Sequence, residues 1–531
     1  MPYLNSMQLD DEPVFERVES FRGMDSFTRA TQLPADICAK LVNCLVTDNQ
    51  LLRTRPGTLA IGATAVDAGE AIQGIWYFET PTLKQIVALA NDVFWVWDGN
   101  TWEDVTSPVG WTPTGLMEGC VGQDGAGSYR LLLSDGTAWL QWDGTNLTKL
   151  GTGATDPPVG AMALTWHSGR MFAAGFGSYP DRVDVSAFYD GGAGGWTSTN
   201  SFRVGGDGRL VQGIASLQNH YAAILKTNSV WLVKTDPAGS VIAGSITVNT
   251  FTLSQVTDGI GCVGRHAFCV NGNDVLFFSH DGVRSLRRAV GQDDYEVTPP
   301  LSQQIQTVID RVNWAYAHLI TAHRFRHYAF FAVPLDTSTT CDTVLVWNNR
   351  TQTWMGHWTG WTPTCWATSS IGSIPAMVFG DTAGFVHQWN DGGGVSSEGT
   401  YKDMSNTGAP TEYATLARLR TFVFGEPVSQ KTGFYADVRF AESGRMVRAT
   451  IFYDDVQANS WDYDTGIGGG AILGTETAIL PFELARELGG RNAKALSGQF
   501  NEAFIELACD AGKMCVKNLT MAAFVDTIQN E

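Results

Sequence analysis

Val93-Phe94-Trp95-Val96-Trp97-Asp98-Gly99-Asn100 reads as a β-strand running into a tight turn. β-Branched and aromatic residues suit a pleated, half-buried surface. Asp-Gly supplies the positive-φ position that a two-residue hairpin needs. The same phrase returns along the chain. It is found at Ala138-Trp139-Leu140-Gln141-Trp142-Asp143-Gly144, at Ala187-Phe188-Tyr189-Asp190-Gly191 and, more loosely, at Val230-Trp231-Leu232-Val233. Further copies are Phe277-Phe278-Ser279-His280-Asp281-Gly282, Val344-Leu345-Val346-Trp347-Asn348-Asn349 and Val386-His387-Gln388-Trp389-Asn390-Asp391-Gly392. Trp97, Trp142, Tyr189, Trp231, His280, Trp347 and Trp389 are then separated by steps of 45, 47, 42, 49, 67 and 42 residues. Four-stranded propeller blades recur every ~40–50 residues. The expectation is an all-β fold whose residues 61–400 form a β-propeller of about six or seven blades. A set of β-sandwiches is the competing arrangement.

The flanks lack this period. Residues 1–60 read as an N-terminal arm and a strand pair, with a turn at Asp48-Asn49 and a stop at Pro56-Gly57. The 67-residue step contains a helix candidate at 299–315, where Leu301, Ile305, Val308, Ile309 and Val312 form one apolar stripe after Pro299-Pro300. Ser396–Pro410 is Ser/Gly/Thr-rich and reads as a linker. Residues 401–531 read as a C-terminal β-domain, with strands at Ala414–Phe424, Gly433–Phe440, Met446–Tyr453, Phe500–Cys509 and Cys515–Thr520 and a glycine-rich loop at 464–474.

Composition removes several classes. Of 531 residues, 17% are charged, 58 are Gly and 18 are Trp, which describes a folded, turn-rich chain. No run of 18 apolar residues occurs, so a membrane span is not expected. Met1–Glu19 lacks a basic start and apolar core, so no secretory signal is expected. The nine cysteines lie apart without Cys-x-x-Cys spacing and read as reduced, small hydrophobes. A net charge of −19 opposes tight sequence-specific DNA binding.

Enzymatic signatures are missing. The chain has no phosphate loop, no His-Glu-x-x-His and no Gly-x-Ser-x-Gly. Ser134-Asp135-Gly136-Thr137-Ala138-Trp139 has the wrong spacing for the Asp-box of sialidase-type propellers. His318, His323 and His327 form the one histidine cluster. Thr321–Val333 reads as a strand, which would hold His323 and His327 ~13 Å apart, too far to share a metal. No catalytic, cofactor-binding or metal-binding residue is assigned. Among the charged spots, Asp207-Gly208-Arg209 reads as a turn. Arg53 and Arg55, together with a basic patch of Arg284, Arg287 and Arg288, read as subunit-contact residues.

Phe21-Arg22-Gly23-Met24, then Asn43 followed by Leu51-Leu52-Arg53-Thr54-Arg55-Pro56-Gly57-Thr58, resembles the opening of bacteriophage tail proteins in which an arm and a strand pair precede a β-propeller. Tyr328–Pro334, the Trp347-Asn348 hairpin closing at Thr353-Trp354 and the interrupting helix are similar as well. The closest class is the tail tubular or nozzle protein of short-tailed phages, related in plan to packaged-DNA stabilisation proteins. The resemblance implies a non-enzymatic virion protein, made in the host cytoplasm and built into a tail. It implies a hexameric ring around the DNA exit channel, with portal-adaptor or other tail proteins as neighbours and no cofactor. DNA would pass without sequence-specific contact, because an acidic lumen repels its phosphates. The alternative is a tail-associated propeller that binds or hydrolyses a host-surface glycan.

Overall fold

The computed structural model describes residues 13–525 except 63, 68, 106, 109–110, 112–116, 219, 236–239, 243–245, 249–250, 289–294, 372–373, 391–400, 405–409, 426–428, 441–445 and 465–493. The chain is all-β, and its middle is a propeller of seven four-stranded antiparallel units. Blades 1 to 3 run from Ile72–Glu79 to Trp102–Val105, from Glu118–Gln123 to Leu147–Lys149 and from Ala163–His167 to Ser201–Arg203. Blades 4 to 6 run from Val211–Ser216 to Phe251–Asp258, from Phe268–Asn271 to Tyr295–Val297 and from Thr321–Phe325 to Thr353–Thr359. Blade 7 is composite. Pro363–Ser369, Ala376–Asp381 and Val386–Trp389 are completed by Thr58–Ala60, which precedes blade 1 in sequence.

The first strand of each blade lies beside the first strand of the next, and that of blade 7 lies beside that of blade 1. The circle is therefore closed through a strand from the other side of the repeat, and sheet edges remain only at the end strands of each blade. Close inter-blade packing explains part of the glycine content. A Cβ at Gly122, on the first strand of blade 2, would sit 2.6 Å from the Trp166 ring of blade 3.

Five of the seven period markers occupy one structural position. Trp97, Trp142, Trp231, Trp347 and Trp389 all lie on the third strand of their blades. Tyr189 instead follows the third strand of blade 3 and is 61% exposed. His280 lies in the turn between the second and third strands of blade 5. These two share the turn chemistry of the repeat without its packing role.

The insertion in the long step is less regular than the expected helix over 299–315. It is a 3-10 segment at Leu301–Ile305, one α-turn at Gln306–Ile309 and a second 3-10 segment at Trp314–Leu319. Ile305, Val308, Ile309 and Val312 are buried as the stripe requires. Continuation fails because tertiary contacts capture the backbone: Val312 bridges Leu335 and Asn313 N donates to Pro334 O at 2.9 Å. Thr321–Val333 is likewise a hairpin, not one strand, since Arg326 turns the chain with φ +54°.

The two flanks share their sheets. In one, Lys431–Phe440 pairs with Cys515–Val525, which also pairs with Val14–Val18 and Leu52–Thr54. In the other, Lys40–Val42 lies against Thr415–Arg418, followed by Ala503–Cys509, Met446–Tyr453 and Val456–Asp464. This second sheet joins blade 6 where His357 sits opposite Val42. The stretch read as a linker contributes a hairpin, Lys402–Met404 with Pro410–Glu412. Residues 396–400 and 405–409 of that linker, and all of the glycine-rich loop at 464–474 beyond Asp464, lie outside the described residues.

Closure of blade 7 is directly testable. Ile61 N donates to Val386 O at 2.8 Å, just past the closing strand. Ile61→Pro removes that donor and is expected to cost on the order of 2 kcal/mol. Hydrogen exchange should show lost protection concentrated in Val386–Trp389, with blades 2 to 4 unchanged.

Candidate functional site

The most highly built polar site lies where the propeller closes. Arg55 follows the second strand of the N-terminal pair and is 0% exposed. A buried guanidinium requires a counter-charge and a partner for every N–H. Arg55 has both. Nη1 and Nη2 donate to the two oxygens of Asp403 at 2.9 and 2.5 Å. Nη2 also donates to Thr359 O at 2.8 Å, Nη1 to Pro56 O at 3.3 Å, and Nε to Asn43 Oδ1 at 3.1 Å. Five donors meet five acceptors. The guanidinium carbon lies over the rings of Tyr413 at 3.9 Å, Trp361 at 4.7 Å and Trp358 at 5.6 Å. Such stacking is favourable when desolvated.

Each partner comes from a different part of the chain. Asn43 sits in the left-handed region at φ +54° and also receives Thr359 N on its Oδ1 at 2.8 Å. Its amide donates to Ala414 O at 2.8 Å. Trp361 Nε1 donates to Asp403 Oδ1 at 2.9 Å, and the Tyr413 hydroxyl donates to Arg55 O. One cation thereby ties the N-terminal strands, blade 6, the start of blade 7 and the 402–412 hairpin together.

A cavity of about 330 Å³ opens beside this clamp, bordered by Trp361, Phe379, Tyr413, Asp381, His387 and Asp403. Asp381 holds the turn of blade 7. Its Oδ1 accepts from Ala383 N at 2.9 Å and Phe385 N at 2.8 Å. Its Oδ2 lies 2.8 Å from His387 Nε2, and the imidazole stacks on Phe379. His387 Nδ1 is buried without a hydrogen-bond partner among the described residues. Aromatic walls beside fixed carboxylates match the chemistry of a small hydroxyl-rich ligand.

The structure places the contact residues expected from sequence in different settings, and it corrects the reading of Arg55. Arg55 is a buried structural group, because all its donors are spent internally. Arg53, its neighbour but one, is half-buried and its Nε has no hydrogen-bond partner among the described residues. Arg284 donates to Asp281 Oδ1 at 2.9 Å and Thr298 O at 2.7 Å, holding the Asp281 carboxyl below its usual range. Arg287 is exposed and lies 3.7 Å from Glu296. Alternation along Gly282–Arg288 puts Arg284 and Arg287 on opposite sheet faces, so they do not make one basic patch. Arg288 lies on the same strand, and its side chain is outside what is described. Asp207 is taken by the fully buried Lys226.

The histidines are divided among separate environments. His323 stacks on Trp366 and sits 2.9 Å from Thr368 Oγ1, and burial pushes it down to about 4. His327 lies in a hairpin turn 3.7 Å from Asp48. All nine cysteines are free thiols, and burial drives Cys38 and Cys262, for example, up to about 12. Sequence reading missed Asp403 and Tyr413, and it met Asn43 only as part of the family resemblance. The signal for Asp403 was masked, since it stands in a Ser/Gly/Thr-rich stretch where an isolated acid looks solvated.

No protein-family model matches the chain. No curated protein matches it either.

Removing one member of the clamp leaves an uncompensated buried charge, which costs about 3–5 kcal/mol. Asp403→Asn should therefore lower the chemical-denaturation midpoint strongly, while Asp403→Asn with Arg55→Met should recover part of the loss. A pH dependence follows from His323 and His357, both held down to about 4, the second by burial and then by Lys40 and Arg311. Unfolded histidine titrates near 6.5, so between about 6.5 and 4 the unfolded chain binds more protons. Their contribution is complete above about 6.5 and is lost as pH falls toward 4. The slope of stability against pH in that window should flatten in the His323→Asn, His357→Asn double variant.

Proposed function

We propose that this chain is a structural ring subunit of a bacteriophage tail, a nozzle or hub component whose copies line the DNA exit channel. The observation that carries this reading is an exposed aromatic patch on the sheet made by the two flanks. Phe15 and Tyr435 both stand opposite Ala522, and their rings are 6.0 Å apart across it. A β-bulge between Gly433 and Tyr435 breaks the alternation, so Phe434 joins the same cluster, 5.3 Å from Tyr435 and 5.1 Å from Phe524. Phe15 is 45% and Phe434 43% exposed. Contiguous exposed aromatics mark protein contact surfaces.

The rest of the molecule is compatible with repeated assembly. A propeller divides its sheet into blades whose edges are short and protected, which limits uncontrolled strand pairing. A patch on one side of a rigid body, meeting a different surface of the next copy, generates a ring when the rotation closes. Six copies, the number the family resemblance implies, would bring a large negative charge around the passage, at −19 each. Like charge keeps DNA from adhering to the wall. Portal-adaptor or other tail proteins would meet the ring above and below.

A second reading, glycan recognition or hydrolysis at a host surface, is favoured by one feature. The cavity beside Trp361 and Phe379 has aromatic walls and carboxylates. Binding of host polysaccharide that is lost in Trp361→Ala would move the function there.

The ring reading is tested by mass in solution. The single chain weighs 57.6 kDa, and light scattering should find a species of about six chain masses. Phe434→Asp with Tyr435→Asp should return it to the single-chain mass without changing the melting temperature. A wild-type chain that stays monomeric at high concentration, and is missing from virions, overturns the proposal.

A further inference from the structure

A second cavity, of about 340 Å³, lies at the seam between the propeller and the flanking sheets. Its wall is rich in cations, which is unexpected in a chain with a net charge of −19. Lys40 and Arg418 stand directly opposite each other on neighbouring strands. Like charges in register destabilise a sheet pair. Arg418 is offset on its other side by Glu506, which stands opposite it and accepts at 3.1 Å. Lys40 is exposed and makes no ion pair among the described residues. The opposing wall comes from the propeller. Arg311 is clamped to Asp336 at 3.0 and 2.7 Å, so its charge is held at a fixed place. His357 faces the same space, and its Nδ1 is buried without a hydrogen-bond partner among the described residues.

The row across the sheet is therefore cation, cation, anion, with the alternation broken at Lys40. A carboxylate seated between Lys40 and Arg418 would complete it. His357 Nδ1 would supply a further bond in the tautomer that carries its proton on that nitrogen. The field at His357 agrees, since after burial itself Lys40 and Arg311 both disfavour its protonation. Asp455 also borders the cavity but makes no ion pair with these cations among the described residues.

We propose that this seam cavity is an oxyanion-binding site that takes a carboxylate-bearing polypeptide segment, with Lys40 as the free cation that recruits it. The site is independent of ring formation, and its occupant would bridge both walls and stiffen the joint between propeller and flanks.

The probes are a hexaglutamate peptide and inorganic phosphate, titrated into the full chain and followed by calorimetry and by the ¹⁵N shifts of His357. Net repulsion between a −19 chain and a polyanion makes non-specific binding a small contribution. Hexaglutamate should bind and shift Nδ1 of His357. Lys40→Ala should weaken it about tenfold, the effect of losing one charge-assisted contact. Lys84→Ala, at a lysine paired to Glu79 on blade 1, should leave it unchanged. Lys40 is exposed, so its variant is expected to fold, and an unchanged melting temperature checks this. No shift at His357 with either probe overturns the proposal, as does binding that survives Lys40→Ala. Phosphate binding without hexaglutamate binding overturns the polypeptide assignment. A chain that binds hexaglutamate here yet stays monomeric would count against the ring alone.

Discussion

A guanidinium sealed from water is the constraint around which this molecule is arranged. Arg55 has no exposed surface, and desolvating such an ion costs several kcal/mol before any partner is found. Its stability depends on five acceptors and three aromatic faces being present together. Those partners come from residues 43 to 413, so the clamp is complete only when the flanks have docked on the closed propeller. Buried ion pairs are poor sources of net stability but strict about geometry. Here that strictness falls three residues before the strand that closes blade 7.

This placement links closure of the circle to formation of the flanking sheets. Thr58–Ala60 is too short to select its own register by apolar alternation. With Arg55 fixed just upstream, the strand enters blade 7 at one height, opposite His387 to Trp389. The hairpin that brings Asp403 and the strand that brings Asn43 then belong to the same cooperative unit as the last two blades. A rigid joint of this kind suits a repeated building block, in which an error of angle at one subunit would be multiplied around a ring. The exposed aromatic patch lies on one flanking sheet, and the seam cavity lies where the other meets the propeller. On this reading the propeller supplies shape and the flanks supply contacts.

The propeller was legible because its signal is local. A strand ending in Trp, Asp and Gly combines β-propensity with turn chemistry inside eight residues, and both act through nearest neighbours. The reading weakened where the marker kept only the turn, as at Tyr189 and His280. The helix candidate shows the opposite failure. Its apolar stripe was read correctly and is buried, yet the backbone follows bonds to Pro334 and Leu335 that lie outside the local window. Arg284 and Arg287 looked like one patch along the chain, and strand alternation separates them.

The sequence alone determined the repeat, the all-β class, the free, dispersed cysteines and the strong negative charge, since each depends on composition or on spacing within a blade. Tertiary structure alone decided that there are seven blades, that residues 58–60 complete the last one, and that Arg55 is interior while Lys40 is not. The physical reason is burial. Whether a charge is a contact residue or a buried lock depends on acceptors hundreds of residues away, such as Asp403, and no local pattern encodes that distance.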